Sequence, residues 1–316
     1  MRLTLEQIRS VTTGSLRTEQ KEDGIRFFKC TQKQIDAWHR RSDFLGVGAE
    51  TTTGVRLDFH TTSKSIAFRA SQGNKFELFV DGLLRKQFLM NAAENRTVSY
   101  PLTDPLGDSK ESVRVTLHLP SHEVGILDWI ELDDGAALTP HVFDCKMLFI
   151  GDSITQGWQS EFDTNSYAYR VSRHFNANSV IQGIGGAYYC TDTFDALPFD
   201  PDTVIVAYGT NDFGFYKTTD EMRTQAAAYL SLVANEYAGK RIFVISPIWR
   251  GTQSMIMGSF AQCRTVVKEE SERLGLFHVD GLSLLPPLPT MYVSDLLHPN
   301  DLGFASFAEN FIPQLL

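Results

Sequence analysis

Phe149-Ile150-Gly151-Asp152-Ser153-Ile154-Thr155-Gln156-Gly157 carries an apolar strand straight into a turn of small residues that presents a serine. Apolar strands recur at Met147 to Ile150, Val180-Ile181, Val204 to Ala207, Ile242 to Ile245 and Leu276 to Val279. Helical patterns separate them. Ala168, Val171 and Phe175 share one face, as do Met222, Ala226, Tyr229, Leu230 and Val233. Phe260, Cys263, Val267 and Leu274 fit a third, and Leu302, Ala305 and Ala308 a fourth. This alternation predicts a parallel sheet with helices on both faces. In such sheets the site lies beyond the carboxyl ends of the strands. Ser153, Gly186 and Asn211 each follow a strand end, so one rim is expected to hold all three.

The chain before Pro140 has another texture. Val55 to His60, Ser65 to Arg69, Ser112 to Leu119 and Gly125 to Leu132 read as strands, the first two with strict period-two alternation. Phe76 to Val80 and Leu83 to Phe88 flank Asp81-Gly82 and read as a hairpin with a tight turn. Five or more strands with almost no helical period predict an all-β sandwich of jelly-roll type. Two domains are therefore expected: 1–140 as an accessory sandwich and 141–316 as the catalytic domain. Asp133 to Pro140 serves as the linker in this reading.

The chemistry concentrates in four places. A serine hydroxyl is nearly inert at neutral pH and needs a base. His298 lies in Ser294-Asp295-Leu296-Leu297-His298-Pro299, with an acidic residue three positions before it at a loop-to-helix boundary. Pro299 biases His298 away from helix, and Asn300 can cap the last helix. Asp295 and His298 thus share a short irregular segment, where the imidazole can turn toward Ser153 while Asp295 fixes its tautomer. A surface Asp and His that merely cap a helix is the plainer alternative. Asn211 either forms a turn with Asp212 or aims its amide at an oxyanion beside the backbone N–H groups of Ser153 and of one glycine of Gln182-Gly183-Ile184-Gly185-Gly186, the block-two turn. Asp152 and Asp212 read as structural carboxylates that bond nearby backbone N–H groups. His278 reads as a core histidine with its polar atoms satisfied. No metal cluster accompanies these groups, and neither metal nor cofactor is expected.

These residues carry a resemblance. With Gln182-Gly183-Ile184-Gly185-Gly186 between the first and the Asn211 segments, the chain is similar to the SGNH (GDSL-type) hydrolases from Lys146 to the end. All four blocks stand in order, with Ile154 where that family often has Leu. The resemblance implies an α/β, flavodoxin-like parallel sheet and a serine esterase that works through an acyl-enzyme. It implies Ser153, His298 and Asp295 as the triad, with Ser153, Gly186 and Asn211 as the oxyanion hole, and favours Gly186 over Gly185. A β-sandwich ahead of such a domain is similar to the layout of carbohydrate esterase family two, which implies removal of O-acetyl groups from sugars. Members of that family can replace the acidic triad residue by a backbone carbonyl; with Asp295 present, a complete triad is expected here.

Aromatic residues crowd the expected rim. Trp249, at the end of the fourth strand, is the first candidate for substrate contact, with Tyr188, Trp158 and Phe213 beside it. Such rings suit sugar faces, suit acyl chains, or simply plug the core. The net charge of −9 argues against nucleic acid and an anionic membrane as partners. The first residues lack the apolar run of a secretory signal. Four cysteines without a Cys-x-x-Cys pair read as free thiols of a reducing compartment, so the cytoplasm is expected. The expected partner is a small-molecule or oligosaccharide ester, and a homo-oligomer is left open. Two other readings stand beside this one: a lipase or thioesterase acting on lipid or acyl-CoA esters, and a carbohydrate-binding protein with an inactive hydrolase domain.

Overall fold

The computed structural model describes residues 1–90, 96–103 and 111–316. The chain folds into two compact units. Met1–Lys29 and Glu50–Phe143 form the first; Cys30–Ala49 and Asp144–Leu316 form the second.

The first unit opens with helix α1 (Leu5–Val11), whose Thr4 and Gln7 form a reciprocal cap. Among the described residues its strands are β1 (Thr12–Thr13), β2 (Arg17–Lys21), β3 (Gly24–Phe28), β4 (Arg56–Thr61), β5 (Ser65–Gln72), β6 (Lys75–Val80), β7 (Leu83–Leu89), β8 (Thr97–Pro101), β9 (Val113–His118), β10 (Ile126–Leu132) and β11 (Leu138–Pro140). They make two antiparallel sheets, one in the order β1-β4-β9-β6-β7 with β11 added to β4, the other β2-β3-β10-β5-β8. Alternate residues of both sheets meet in one core. Leu57, Phe59, Leu78, Val115 and Leu117 from the first join Phe27, Ile66, Phe68, Leu127 and Ile130 from the second. This is the expected β-sandwich. Asp81 and Gly82 both take positive φ, 51° and 77°, as a two-residue hairpin turn with the strands' own twist demands.

Two expectations are corrected here. Residues 133–140 are not a linker. Leu138, Thr139 and Pro140 pair with Thr61, His60 and Phe59, and the Asp133 carboxylate accepts from Lys64 N and Ser65 Oγ, so the segment completes a sheet. The first unit accordingly runs to Phe143. Nor does it hold all of residues 1–140, because 30–49 belong to the second unit. That segment forms α2 (Gln32–Arg41) and most of α3 (Asp43–Glu50).

The second unit is a five-stranded parallel sheet of β12 (Cys145–Gly151), β13 (Ala177–Gly183), β14 (Thr203–Ala207), β15 (Arg241–Ile245) and an edge strand at Phe277–Val279, in the order β13-β12-β14-β15-edge. Counted within the unit this is the 2-1-3-4-5 order of flavodoxin-like sheets, with its switch point between β12 and β14. Helices α4 (Ser153–Gln156), α5 (Tyr167–His174), α6 (Asp212–Phe215), α7 (Thr219–Glu236), α8 (Phe260–Arg273), α9 (Gly281–Leu284) and α10 (Asp301–Phe311) connect or flank the strands. In α7 the five residues Met222, Ala226, Tyr229, Leu230 and Val233 are the buried ones, the face read from the sequence. In α10 the expected face holds only in part. Ala308 turns inward as expected, but Leu302 is 58% exposed, and Phe304, Phe307 and Phe311 supply the rest of the buried face. The Asn300 side chain accepts from Gly303 N and fixes that phase, and Phe307 stacks on Tyr167.

Candidate active site

Register brings the site together. Gly151 at the end of β12 stands opposite both Gly183 of β13 and Ala207 of β14, so three strands finish level. The chain turns into α4 immediately, and α4 presses on its neighbours. A Cβ on Gly183 would lie 2.4 Å from Gln156 N, which explains a glycine there. Asp152 caps α4 by accepting from Ile154 N at 2.9 Å, and Gly157 closes it with φ +85°. Ser153 is thereby fixed at the first helical position, 6% exposed, at the centre of the rim.

His298 approaches from the loop before α10. Its Nε2 lies 2.8 Å from Ser153 Oγ, and its Nδ1 lies 2.6 Å from Asp295 Oδ2. Asp295 Oδ1 accepts from Leu297 N at 2.8 Å and His298 N at 3.0 Å, so the carboxylate is held by the segment it serves. Partial burial pushes the Asp295 carboxyl up, but hydrogen bonds from the His298 ring and these two N–H groups outweigh it. It stays ionised below the ordinary carboxylate value. The Gly251 N–H donates to Leu296 O at 2.7 Å, which ties this loop to the chain leaving β15.

On the other side of Ser153 lies the block-two turn. Gly185 N donates to Gln156 Oε1 at 2.8 Å and is occupied. Gly186, with φ +83°, has no acceptor for its N–H among the described residues. Asn211 begins α6 without capping it; its Nδ2 donates to Ala187 O at 2.9 Å instead. One amide hydrogen is thus committed to the block-two loop, which orients the other.

The two buried carboxyls stand behind this layer. Asp152 is pushed up to about 7 by burial, against the pull of backbone N–H donors and of Arg250. Asp212 is also pushed up to about 7 by burial, although it accepts from Tyr189 N at 3.0 Å and Gly209 N at 2.9 Å, and nearby Asp152 adds to the rise. Both bind backbone, as the sequence suggested. His278 departs from expectation: its Nε2 is buried without a hydrogen-bond partner. The four cysteines are free thiols.

The aromatic candidates divide. Trp249 and Trp158 are half-buried at the rim, Trp249 against Tyr292 with ring centroids 5.1 Å apart. Trp158 passes beside Gly185, with Cζ3 3.6 Å from where a Cβ would stand. Phe213 and Tyr188 are corrected as substrate contacts. Phe213 is fully buried against Phe260 and under the Arg250 guanidinium. Tyr188 is covered because Phe215 stacks on its face at 4.0 Å and Trp38 meets it edge-on.

The sequence reading missed α2 and α3, which flank the block-two turn. Gln34 and the buried Gln182 exchange amide hydrogen bonds of 3.1 and 2.9 Å, Thr31 Oγ1 donates to Asp195, and Arg41 bonds both oxygens of Asp192. Among the described residues no cluster of His, Cys, Asp and Glu stands ready for a metal ion. No helix of the described residues is long and apolar enough to cross a membrane.

Residues 149–305 match the model of the GDSL-like Lipase/Acylhydrolase family, and the second unit is a domain of that family of acyl-ester hydrolases. The fold recurs in solved structures. A salicylyl-acyltransferase, SsfX3, from a tetracycline biosynthetic pathway superposes with a TM-score of 0.82 at 16% identity, over 96% of this chain and 93% of its own. A protein from Bacteroides ovatus that is named a GDSL-like lipase gives 0.77 at 17% identity, over 100% and 96%. A family two carbohydrate esterase from Clostridium thermocellum in complex with cellohexaose gives 0.65 at 20% identity, over 84% and 92%. No curated protein matches the chain in sequence.

Proposed function

We propose that the second unit hydrolyses small O-acyl esters through a covalent acyl-serine, with O-acetyl groups on carbohydrates as the substrate class. The observation that carries this reading is the unbroken relay from Ser153 Oγ through His298 to Asp295, at 2.8 and 2.6 Å. His298 Nε2 takes the Ser153 proton as Oγ attacks the ester carbonyl, and Asp295 stabilises the imidazolium that forms. The Ser153 and Gly186 N–H groups and the second hydrogen of Asn211 Nδ2 receive the oxyanion. Collapse of the tetrahedral adduct expels the alcohol, which leaves with the proton from His298. Water, deprotonated by the same imidazole, then attacks the acyl-serine, and collapse of the second adduct frees the acid and restores Ser153.

Because His298 hands its proton to the alcohol, the alcohol departs on the β15 side, where the His298 loop is tied. Trp249 follows β15 and offers a half-exposed ring there, a platform suited to a sugar face. The cellohexaose complex of the Clostridium thermocellum esterase supports an oligosaccharide as the alcohol.

The test is acetate release from a panel of acetylated mono- and oligosaccharides, with Ser153→Ala as control. Release by the wild type and none by the variant is expected. Hydrolysis that survives in Ser153→Ala overturns the mechanism. A wild type that ignores acetylated sugars but cleaves long-chain esters overturns the substrate class and favours a lipase or thioesterase. Failure of Ser153 to label with a serine-directed organophosphate favours an inactive domain.

A further inference from the structure

Phe44 is 61% exposed on a well-anchored element. It stands in the first turn of α3, and its place is set by bonds elsewhere. Trp38, Gln34, Thr31 and Arg41 fasten the preceding helix and its cap to the 182–195 stretch, and the Ser42 hydroxyl accepts from Leu45 N at 3.2 Å. A Cβ on Gly46 would fall 2.2 Å from the His39 ring, so the two helices pack with nothing between them. The phenyl ring therefore projects from a rigid support.

It projects over the block-two turn. Phe44 Cε1 lies 3.4 Å, and Cζ 3.7 Å, from the points where Cβ atoms on Gly186 and Gly185 would stand. Trp158 closes the same turn from another direction, 3.6 Å from the Gly185 point. The glycine whose N–H faces the oxyanion in the proposed mechanism thus has an exposed aromatic ring against its backbone. The oxyanion oxygen is one bond from the carbonyl carbon, so a substituent on that carbon reaches the ring within a few bonds.

Strand order decides which substituent that is. β13, which delivers Gly185 and Gly186, and β15, to which the His298 loop is tied, lie on opposite sides of β12. The alcohol must leave toward His298. The remaining substituent, the acyl chain, points to the β13 side. We infer that Phe44 is the specificity-determining wall of the acyl subsite, limiting the group transferred to Ser153 to short chains. This rests on the functional reading above.

The experiment uses the full chain and two ester series. One varies the acyl group at constant leaving group, as 4-nitrophenyl acetate, butyrate and octanoate. The other holds acetate and varies the alcohol, as 4-nitrophenyl, phenyl and methyl acetate. Phe44→Ala is expected to raise the octanoate-to-acetate ratio of kcat/KM by about tenfold or more, the scale on which a pocket distinguishes added methylenes. Phe44→Leu should fall between it and the wild type, and neither should change the ratios within the alcohol series. An unchanged acyl ratio, an equal loss on every ester, or a change confined to the alcohol series overturns the inference. With hydrolysis abolished in Ser153→Ala, those outcomes sink only the role of Phe44. Hydrolysis that persists in Ser153→Ala sinks the functional reading and this inference with it.

Discussion

Asn211 shows how one side chain can be read for its job from what it leaves undone. An asparagine at a helix start ordinarily caps the helix, yet this one gives a hydrogen to Ala187 O and leaves α6 uncapped. Asn211→Ala is expected to lower kcat by about a hundredfold or more, the usual cost of a lost oxyanion donor. KM should change much less, because the donor acts on charge that develops only in the transition state. Steady-state kinetics on an activated acetyl ester measure both, and a kcat close to the wild type removes Asn211 from the hole. At this scale the sequence was most legible where residues act through neighbours in the chain. Asp295 and His298 lie three apart and Ser153 follows its strand directly, so spacing together with the resemblance to the SGNH blocks singled them out. Phe213 and Tyr188 sat in equally suggestive positions, but their burial is decided by Phe260, Phe215 and Trp38, which no local pattern announces.

Elements follow the same logic. The face of α7 was readable because its apolar residues repeat regularly. In α10 the aromatic residues outrank Leu302, and the cap at Asn300 sets which of them turn inward. The helix α2 did leave a signal, Thr31 followed by Gln34 and then Ile35 and Trp38, a capping box ahead of an apolar pair. It went unread because the surrounding texture was all strand. Asp133 to Pro140 looked like a linker for the opposite reason: turn-forming residues conceal a short strand that exists only because β4 is there to pair with it. A prediction belongs to this scale. Asp212 ties the chain after β14 to the block-two loop through Gly209 and Tyr189 while held at about 7 by burial. Its folded value lies above the unfolded value of about 3.9, so the folded state holds more protons between them. The stability this adds is full below the unfolded value and is lost as pH rises through about 7. Asp212→Asn cannot ionise. Whatever fixed cost the amide carries, the variant should gain on the wild type in denaturant titrations run from pH 4 to pH 8. A constant difference across that range contradicts a raised carboxyl.

The two units do not follow one another along the sequence. The chain leaves the first unit after Lys29, returns to it at Glu50 and leaves again after Phe143. A cut between the units therefore cannot be made once. A fragment of residues 144–316 strips Gln34 from Gln182, which is 3% exposed, and Trp38 from Tyr188. The uncovered apolar surface, the Tyr188 ring included, costs roughly 25 cal/mol per Å² exposed. That fragment is expected to melt well below one in which residues 30–49 are joined to it through a Gly/Ser linker, as followed by circular dichroism. Equal melting temperatures exclude a stabilising role for the helix pair. Sequence texture set a strand-rich region apart from a mixed one but could not reveal this exchange, because membership of a unit is settled by partners more than a hundred positions away.

The exchange also has a timetable. Gln34 and the glutamine it clasps are 148 positions apart, and a ribosome adding about 5–20 residues per second needs roughly 7–30 seconds to span them. Throughout that interval the nascent helix pair has been made but its berth has not. Until the parallel sheet emerges, Trp38 lacks the Tyr188 ring that it meets in the folded unit, so the order of translation leaves this aromatic face without its partner for that time.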